Sequence, residues 1–233
     1  AALIRMSAHL ASPLAFFASA RGFAKRYVWS MARTREPTVH VGKAWRLMLL
    51  DIGVSRETVL RRAGLPLDAL DGKGTHIPLD AFYMFCAAVT HEANDPELAL
   101  KTGQVVAVEL FDPAFFAAMC SPDMNTAARR LAEFKRLVGV FSLDVAVGDE
   151  ATTIGFRCKY RPDVPPTLGT GEIVFLVAFA RRATRHHVRP VSVSLSDDFD
   201  DVAAYEAYFG CPVTTGTSPA VTLTAEDATR PFL

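Results

Sequence analysis

The chain has 233 residues, of which half are hydrophobic and 16 are Phe, and its formal net charge is zero. This length and apolar content suffice for one domain of good size with a packed core. Residues 1–35 hold six of the 25 bases and none of the 25 acids, so the rest of the chain has 19 bases and a net charge of about −6. Because affinity for duplex DNA depends on cationic contacts to phosphates, this composition argues against DNA binding by the chain itself.

The cysteines and the apolar runs indicate the compartment. Cys86, Cys120, Cys158 and Cys211 are spread along the chain without a CxxC pair. This pattern favours free thiols in a reducing cytoplasm over a disulfide framework. No uninterrupted apolar run approaches the roughly 18 residues that a membrane-spanning helix needs. The sequence therefore predicts a cytoplasmic protein that does not enter the membrane.

Residues 1–40 are predicted to form a flexible basic extension, and residues 41–233 the folded domain. The apolar stretch of residues 10–20 is short and is broken by Ser12 and Pro13. A signal peptide is therefore the weaker interpretation. A mobile extension, or sequence upstream of a true start at Met31, fits the pattern better.

Helical spacing begins at residue 43, and Gly53 ends the first helix. Ser55 then caps a second short helix that closes at Gly64. The segment from Gly53 to Gly64 mimics a helix-turn-helix, with a glycine in the turn followed by a helix that bears Arg. An independent DNA-binding protein using this segment stays open as an alternative, although such a unit also needs a third supporting helix and a positive surface.

The middle of the chain is helical. Pro78 suits the first turn of a helix whose residues 82–89 are almost wholly apolar. Residues 94–97 predict a turn and a helix start, and Gly103 a helix stop. A further helix opens near Asn125, buries Leu131 and Phe134 on one face, and closes at Gly139.

The hydrophobic period then changes from helix to strand. Residues 141–147 and 153–160 alternate around a turn at 148–150, which predicts a hairpin with one buried face. A loop is expected over residues 162–171, followed by a helix at 172–186, a strand at 191–195, a helix from Asp201 to residue 209, and a strand at 221–223. The sequence predicts an α+β fold: a helical N-terminal part followed by a ββαβαβ region forming a small, mostly antiparallel sheet packed against helices.

Neither catalytic nor metal-binding motifs emerge. His91-Glu92 lacks the second His of a zinc helix, and the neighbouring His186 and His187 point about 100° apart on a helix. Gly169-Thr170-Gly171 lacks the Lys and the spacing of a phosphate-binding loop. The acidic residues 197–201 lack the spacing of an EF-hand, and no GxSxG elbow is present. No catalytic residue, metal site or cofactor is predicted, and the chain is not expected to be an enzyme.

A ligand pocket with aromatic walls is the remaining candidate site. Such pockets are mostly apolar with a few placed polar groups. Arg157, or alternatively Lys159 or Arg182, would orient an anion. The same residues also suit an ordinary core and an exposed sheet face or helix end. The predicted ligand-binding residues are Phe111, Phe115, Phe134, Phe156, Arg157 and Phe175.

Several motifs occur in an order that resembles the effector-binding domain of AraC-type transcription regulators, in the branch described as arabinose-binding-like. The resemblance covers residues 41–233. Thr214-Thr215-Gly216 departs from it, because an aromatic usually stands there. The motifs are the run Asn94-Asp95-Pro96-Glu97-Leu98-Ala99-Leu100-Lys101-Thr102-Gly103, then Arg189-Pro190-Val191-Ser192-Val193-Ser194-Leu195, Tyr208-Phe209-Gly210-Cys211-Pro212-Val213, Ala220-Val221-Thr222-Leu223-Thr224 and Arg230-Pro231-Phe232-Leu233.

The resemblance implies a regulatory domain that senses an unknown small-molecule effector and forms a homodimer. It would control a C-terminal helix-turn-helix domain that is absent from this chain, so DNA would be contacted only through that domain. Residues 231–233 would stand where the linker starts. A small stand-alone enzyme and an independent DNA-binding protein stay as alternatives.

Overall fold

The computed structural model describes residues 36–104, 113–196 and 202–233, and residues 37–233 belong to one unit of the chain. The predicted extension therefore lies, up to residue 35, outside the described residues. The α+β class predicted from the sequence is confirmed: helices dominate the first part, and a five-stranded sheet packed against helices forms the second. Across the described ranges, no helix is long and apolar enough to cross a membrane.

A two-stranded antiparallel sheet frames the first helices. Strand β1 (Thr38–Val41) pairs with β2 (Thr75–Pro78), with Val39 opposite Ile77. Along the chain, helices α1 (Lys43–Asp51) and α2 (Arg56–Arg62) connect the two strands. The two predicted helices are thus confirmed, whereas the strands around them are too short to give a periodic signal in the sequence.

Four helices follow β2: α3 (Leu79–Ala93), α4 (Leu98–Gln104), α5 (Pro113–Met119) and α6 (Met124–Val138). Asn94 ends α3 in the left-handed conformation, with φ of 45°. Asp123 caps α6 by accepting a hydrogen bond from the Thr126 N–H at 2.7 Å. The predicted stop at Gly103 lies one residue before Gln104, the last described residue of α4, and Gly103 also allows a close contact with another helix.

The main sheet contains β3 (Phe141–Val147), β4 (Ala151–Cys158), β5 (Ser192–Ser196), β6 (Val213–Gly216) and β7 (Ala220–Thr224) in the spatial order β3-β4-β7-β5-β6. All neighbours are antiparallel except β5 and β6. The predicted hairpin is confirmed, with Leu143 opposite Phe156. Strand β6 was not predicted, because a four-residue edge strand with one apolar residue resembles a loop.

The long helix α7 (Pro166–Thr184) begins earlier than predicted. The expected loop at 162–171 ends at Pro165, because Pro166 fits the first turn of a helix. Gly169 and Gly171 therefore lie inside the helix. Helices α8 (Ala203–Phe209) and α9 (Ala225–Thr229) complete the fold, and the predicted helix start at Asp201 lies outside the described residues.

Two large hydrophobic clusters form most of the interior of the described residues, and a small third one contains Leu79, Val140 and Cys158. The helical core lies between β1, α1, α2, β2 and α3, where the ring of Trp45 packs edge-on against Phe82 and Phe85 at 5.4 and 5.3 Å. The sheet core lies between the five-stranded sheet and α4 to α9. Phe141 and Leu168 pack against both clusters, so the two cores meet near the start of α7.

Candidate functional site

A groove of about 770 Å³ opens between α3 and the segment that leads into α7. The turn after α3 and the first residues of α4 close one end of it. We call this space the α3–α7 groove. It is lined by Tyr83, Cys86, Ala87, Thr90, His91, Asp95, Pro96, Leu98, Ala99, Asp163, Val164, Pro165, Pro166 and Thr167.

Helix α3 contributes one stripe of residues to the groove. Tyr83, Ala87 and Thr90 lie three or four positions apart and therefore share one side of the helix. Phe82 and Phe85 are fully buried in the helical core on another side. The helix thus holds the core with its phenylalanines and presents a second, mixed face to the groove.

The opposite wall combines prolines with apolar side chains. Pro165 precedes α7 and Pro166 opens it, and neither carries an N–H group. Pro96 also lacks an N–H group, at the closed end. Val164, together with Leu98 and Ala99 of α4, adds apolar surface. The described lining of the groove therefore offers mostly apolar contact.

Side-chain hydroxyls join the two walls. The Tyr83 hydroxyl donates to the Asp163 carbonyl oxygen at 2.7 Å. The Thr90 hydroxyl donates to the Cys86 carbonyl at 3.2 Å, and its oxygen lies 2.9 Å from the Thr167 hydroxyl. Since Thr90 has one hydroxyl hydrogen and uses it on Cys86, Thr167 is the donor in the second bond.

The charged groups around the groove are paired. Asp95 accepts hydrogen bonds from the Lys101 ammonium and from the Glu97 N–H. These two bonds, with the Lys101 bond the stronger cause, lower the pKa of Asp95, so its carboxyl is ionised at neutral pH. Arg161 donates to Asp80 at 2.6 Å and to Asp163 at 3.2 Å, and its guanidinium stands 4.5 Å from the centre of the Tyr83 ring. Among the described residues that line the groove, none is Lys or Arg.

The Cys86 thiol and the Tyr83 hydroxyl both stay protonated at neutral pH. Burial raises the pKa of the Cys86 thiol well above its ordinary value, and burial followed by contact with Cys158 does the same for the Tyr83 hydroxyl. Within the described ranges, no group of three His, Cys, Asp or Glu side chains could hold a metal ion. The groove therefore provides hydroxyl and carboxylate oxygens beside apolar walls.

The residues predicted to bind a ligand are only partly brought together. Phe115 on α5 and Phe175 on α7 are half-buried and meet with ring centres 5.5 Å apart. Phe156 is buried in a different aromatic contact, against Phe141 at 5.3 Å. Phe134 is half-buried on α6, and Phe111 lies outside the described residues. Ligand contact by these residues stays a prediction.

Arg157 lies on the exposed side of β4. Its guanidinium donates to the carboxylate of Asp144 on β3, and this bond raises its pKa further above the ordinary value. Its neighbour Phe156 points the opposite way, into the sheet core. None of the five predicted residues that the structure describes is among those lining the α3–α7 groove.

The helix-turn-helix-like segment, residues 53–64, contains the turn after α1 and helix α2, and it helps to close the helical core. Val59 and Leu60 are fully buried there. Arg56 bonds to Glu57 and Asp71, and Arg62 to Glu92. Because these bases already have carboxylate partners, the segment provides a weak phosphate-binding surface.

Sequence reasoning missed Tyr83, Thr90 and Thr167 as site residues. The available signal was the pair of prolines at 165–166, which fixes a rigid helix entry, and the polar residues at helical spacing along α3. Neither signal shows that the two segments face each other.

One comparison with known proteins shows the family. The family described as "Arabinose-binding domain of AraC transcription regulator, N-term" matches residues 53–232. No curated protein matches the chain.

Among solved structures, the transcriptional regulator CdpR from Pseudomonas aeruginosa is similar, with a TM-score of 0.52 and 16% sequence identity over 83% of this chain. The match covers 58% of CdpR, so this chain spans less than two thirds of that regulator. A structure solved to probe heme distortion in the H-NOX family has a TM-score of 0.48 and 13% identity over 78% of this chain and 90% of its own. An oxygen-binding H-NOX domain related to soluble guanylate cyclases has a TM-score of 0.43 and 13% identity over 77% and 89%.

Proposed function

Because the chain belongs to the family of N-terminal arabinose-binding domains of AraC transcription regulators, we propose that it senses a small-molecule effector and controls a separate DNA-binding domain. The family match over residues 53–232 carries this proposal. It indicates a regulatory domain rather than an enzyme. The proposed regulator works as a homodimer in the cytoplasm and reaches DNA only through that other domain.

The α3–α7 groove supports the effector-binding part of the proposal. Its volume of about 770 Å³ is within the range of small-molecule sites, which is roughly 300 to 1,000 Å³. Its mixture of apolar walls and a few hydroxyl and carboxylate oxygens is also typical of such sites. The groove lies where the helical core and the sheet core meet, so a ligand there contacts parts of both.

Helix α7 supports a route from the groove to the last residues of the chain. Thr167 in its first turn lines the groove. Near its other end, the Phe179 ring packs edge-on against Phe232 at 5.7 Å, and the Ala183 carbonyl accepts a hydrogen bond from the Leu233 N–H at 2.9 Å. A ligand that favours one position of α7 would therefore favour one position of residues 232–233. This is a population shift between two arrangements of the domain.

Native mass spectrometry of the chain after exposure to a protein-free cell extract tests the proposal. We expect an extra small-molecule mass that disappears on denaturation. Ala87→Trp places an indole in the groove from an exposed position of α3, and we expect this variant to lose the extra mass. Met84→Trp is the matched control, because Met84 is exposed on the same helix and does not line the groove.

The possible outcomes test effector sensing and the location of the binding site independently. A chain that retains no small molecule from any extract contradicts effector sensing. A small molecule that Ala87→Trp retains as well as the wild type supports sensing and excludes the α3–α7 groove as its site. Conversion of the bound molecule into a product contradicts the regulatory assignment and supports an enzyme.

A further inference from the structure

The polar groups of the α3–α7 groove are hydrogen-bond acceptors. We propose that the groove binds a mostly apolar molecule through an amine or hydroxyl group that donates a hydrogen bond, and that it excludes carboxylates and phosphates. The inference rests on the proposed sensing function and names the chemical class of the effector. It also replaces the anion expected from Arg157 with a ligand of different charge.

The hydroxyl hydrogens decide the direction of the hydrogen bonds. A hydroxyl has one hydrogen and two acceptor lone pairs. The hydrogens of Tyr83, Thr90 and Thr167 are used on the Asp163 carbonyl, the Cys86 carbonyl and the Thr90 oxygen, respectively. Each oxygen keeps acceptor capacity, and Thr167 keeps both lone pairs. A ligand that donates a hydrogen bond satisfies these oxygens, whereas a ligand that only accepts does not.

Basic side chains are absent from the described lining of the groove. Anion sites are usually built from backbone N–H groups and basic side chains. None of the described lining residues is Lys or Arg, and three of them are prolines, which have no N–H group. One described lining residue, His91, is exposed and has a ring N–H that can donate a hydrogen bond to a ligand.

The charges oppose an anion as well. Two of the described lining residues, Asp95 and Asp163, carry carboxylates. The nearest bases, Lys101 and Arg161, are bonded to these same carboxylates, and Arg161 also to Asp80. An anionic ligand would have to compete with existing ion pairs, while a neutral or cationic ligand would leave them intact.

A matched set of four naphthalene probes tests the inference. They are 1-naphthylmethylamine and 1-naphthalenemethanol, which donate, 1-(methoxymethyl)naphthalene, which only accepts, and 1-naphthoate, which is an anion. The full chain is titrated with each probe by isothermal calorimetry at pH 7. We expect the amine and the alcohol to bind about fivefold more tightly than the methyl ether, the usual effect of one hydrogen bond. We expect the naphthoate to bind at least tenfold more weakly than the alcohol.

Two variants locate the binding. Thr167→Val keeps the shape of the side chain and removes its hydroxyl, so it should abolish the preference for the alcohol over the methyl ether while the ether binds as before. Ala87→Trp should remove binding of all the probes, and Met84→Trp should leave it unchanged. Thermal unfolding of each variant confirms that it is folded.

The results distinguish the ligand class from the sensing function. Tightest binding of the naphthoate, equal binding of alcohol and ether, or no binding of any probe overturns the inference. If the chain nevertheless retains a small molecule in native mass spectrometry, the sensing function stands and the effector belongs to another class. If both experiments are negative, the proposed function fails with it.

Discussion

Helix α7 meets two other helices in opposite ways. Against α4 the backbones touch: a Cβ atom at Gly103 would lie 2.5 Å from the Gly171 carbonyl oxygen and 2.6 Å from the Val174 Cβ. Against α3 the contact at the start of α7 is a pair of hydroxyls 2.9 Å apart, beside a groove of about 770 Å³. The difference shows how one rigid helix combines a closed contact with an open binding site, with glycines in the first and prolines and threonines in the second.

Substitution at the closed contact should have the largest effect. Gly103→Ala inserts a methyl group where backbone atoms already stand, so α4 and α7 must separate. We expect the free energy of unfolding to fall by about 2 kcal/mol, a usual cost of overpacking, measured by urea denaturation.

Gly171→Ala is the matched control, because its Cβ would meet the nearest atoms at ordinary distances of 3.5 and 3.8 Å. Alanine is also a better helix former than glycine by about 1 kcal/mol. We therefore expect this variant to be as stable as the wild type or slightly more stable. If Gly103→Ala is as stable as Gly171→Ala, α4 and α7 are not in backbone contact.

The contacts of α7 with α4 and with α3 also show what could not be predicted from the sequence. The change of hydrophobic period near residue 141 was enough to predict the hairpin and the α+β class. Gly103 was interpreted as a helix stop, because a glycine at the end of a short apolar run commonly marks a helix end. Its actual role depends on α7, which lies about 70 residues later in the sequence. A local pattern contains no signal for such a contact.

The groove escaped prediction for the same reason. A pocket is formed by segments that are distant in sequence. Because residues 82–89 are almost wholly apolar, their sequence does not show which side of the helix faces a groove. In the structure, Phe82 and Phe85 face the helical core, whereas Tyr83 and Ala87 face the groove. Phe115 and Phe175, which were both predicted as pocket residues, lie with their ring centres 5.5 Å apart. Whether they touch a ligand stays a prediction.

At the open contact, Tyr83→Phe should have a moderate effect. The substitution keeps the ring beneath Arg161 and removes the hydrogen bond to the Asp163 carbonyl. We expect a loss of about 1 kcal/mol in the free energy of unfolding, measured by urea denaturation. Tyr160→Phe is the control, because Tyr160 is 61% exposed, and its loss should be close to zero. Equal losses would mean that the hydroxyl of Tyr83 does not hold the wall of the groove in place.

The smallest effect on stability is expected at the turn between α3 and α4. Asp95 follows α3, accepts the Glu97 N–H just before α4, and pairs with Lys101 within α4. Because Lys101 is 54% exposed, solvent screens the pair. We therefore expect Asp95→Asn to lower the Tm by only about 1–2 °C at neutral pH. Lys101→Met should cause a similar loss.

The sign of the pH dependence follows from the lowered pKa of Asp95 in the folded state. A carboxyl with a lowered folded pKa stabilises the protein above its unfolded pKa of about 3.9 and loses this contribution as the pH falls through the folded value. The difference in Tm between wild type and Asp95→Asn should thus be constant from about pH 6 to 8 and shrink below about pH 5. If acid enlarges this difference, the carboxylate does not hold the turn, and the first turn of α4 must be fixed by its contact with α7 alone.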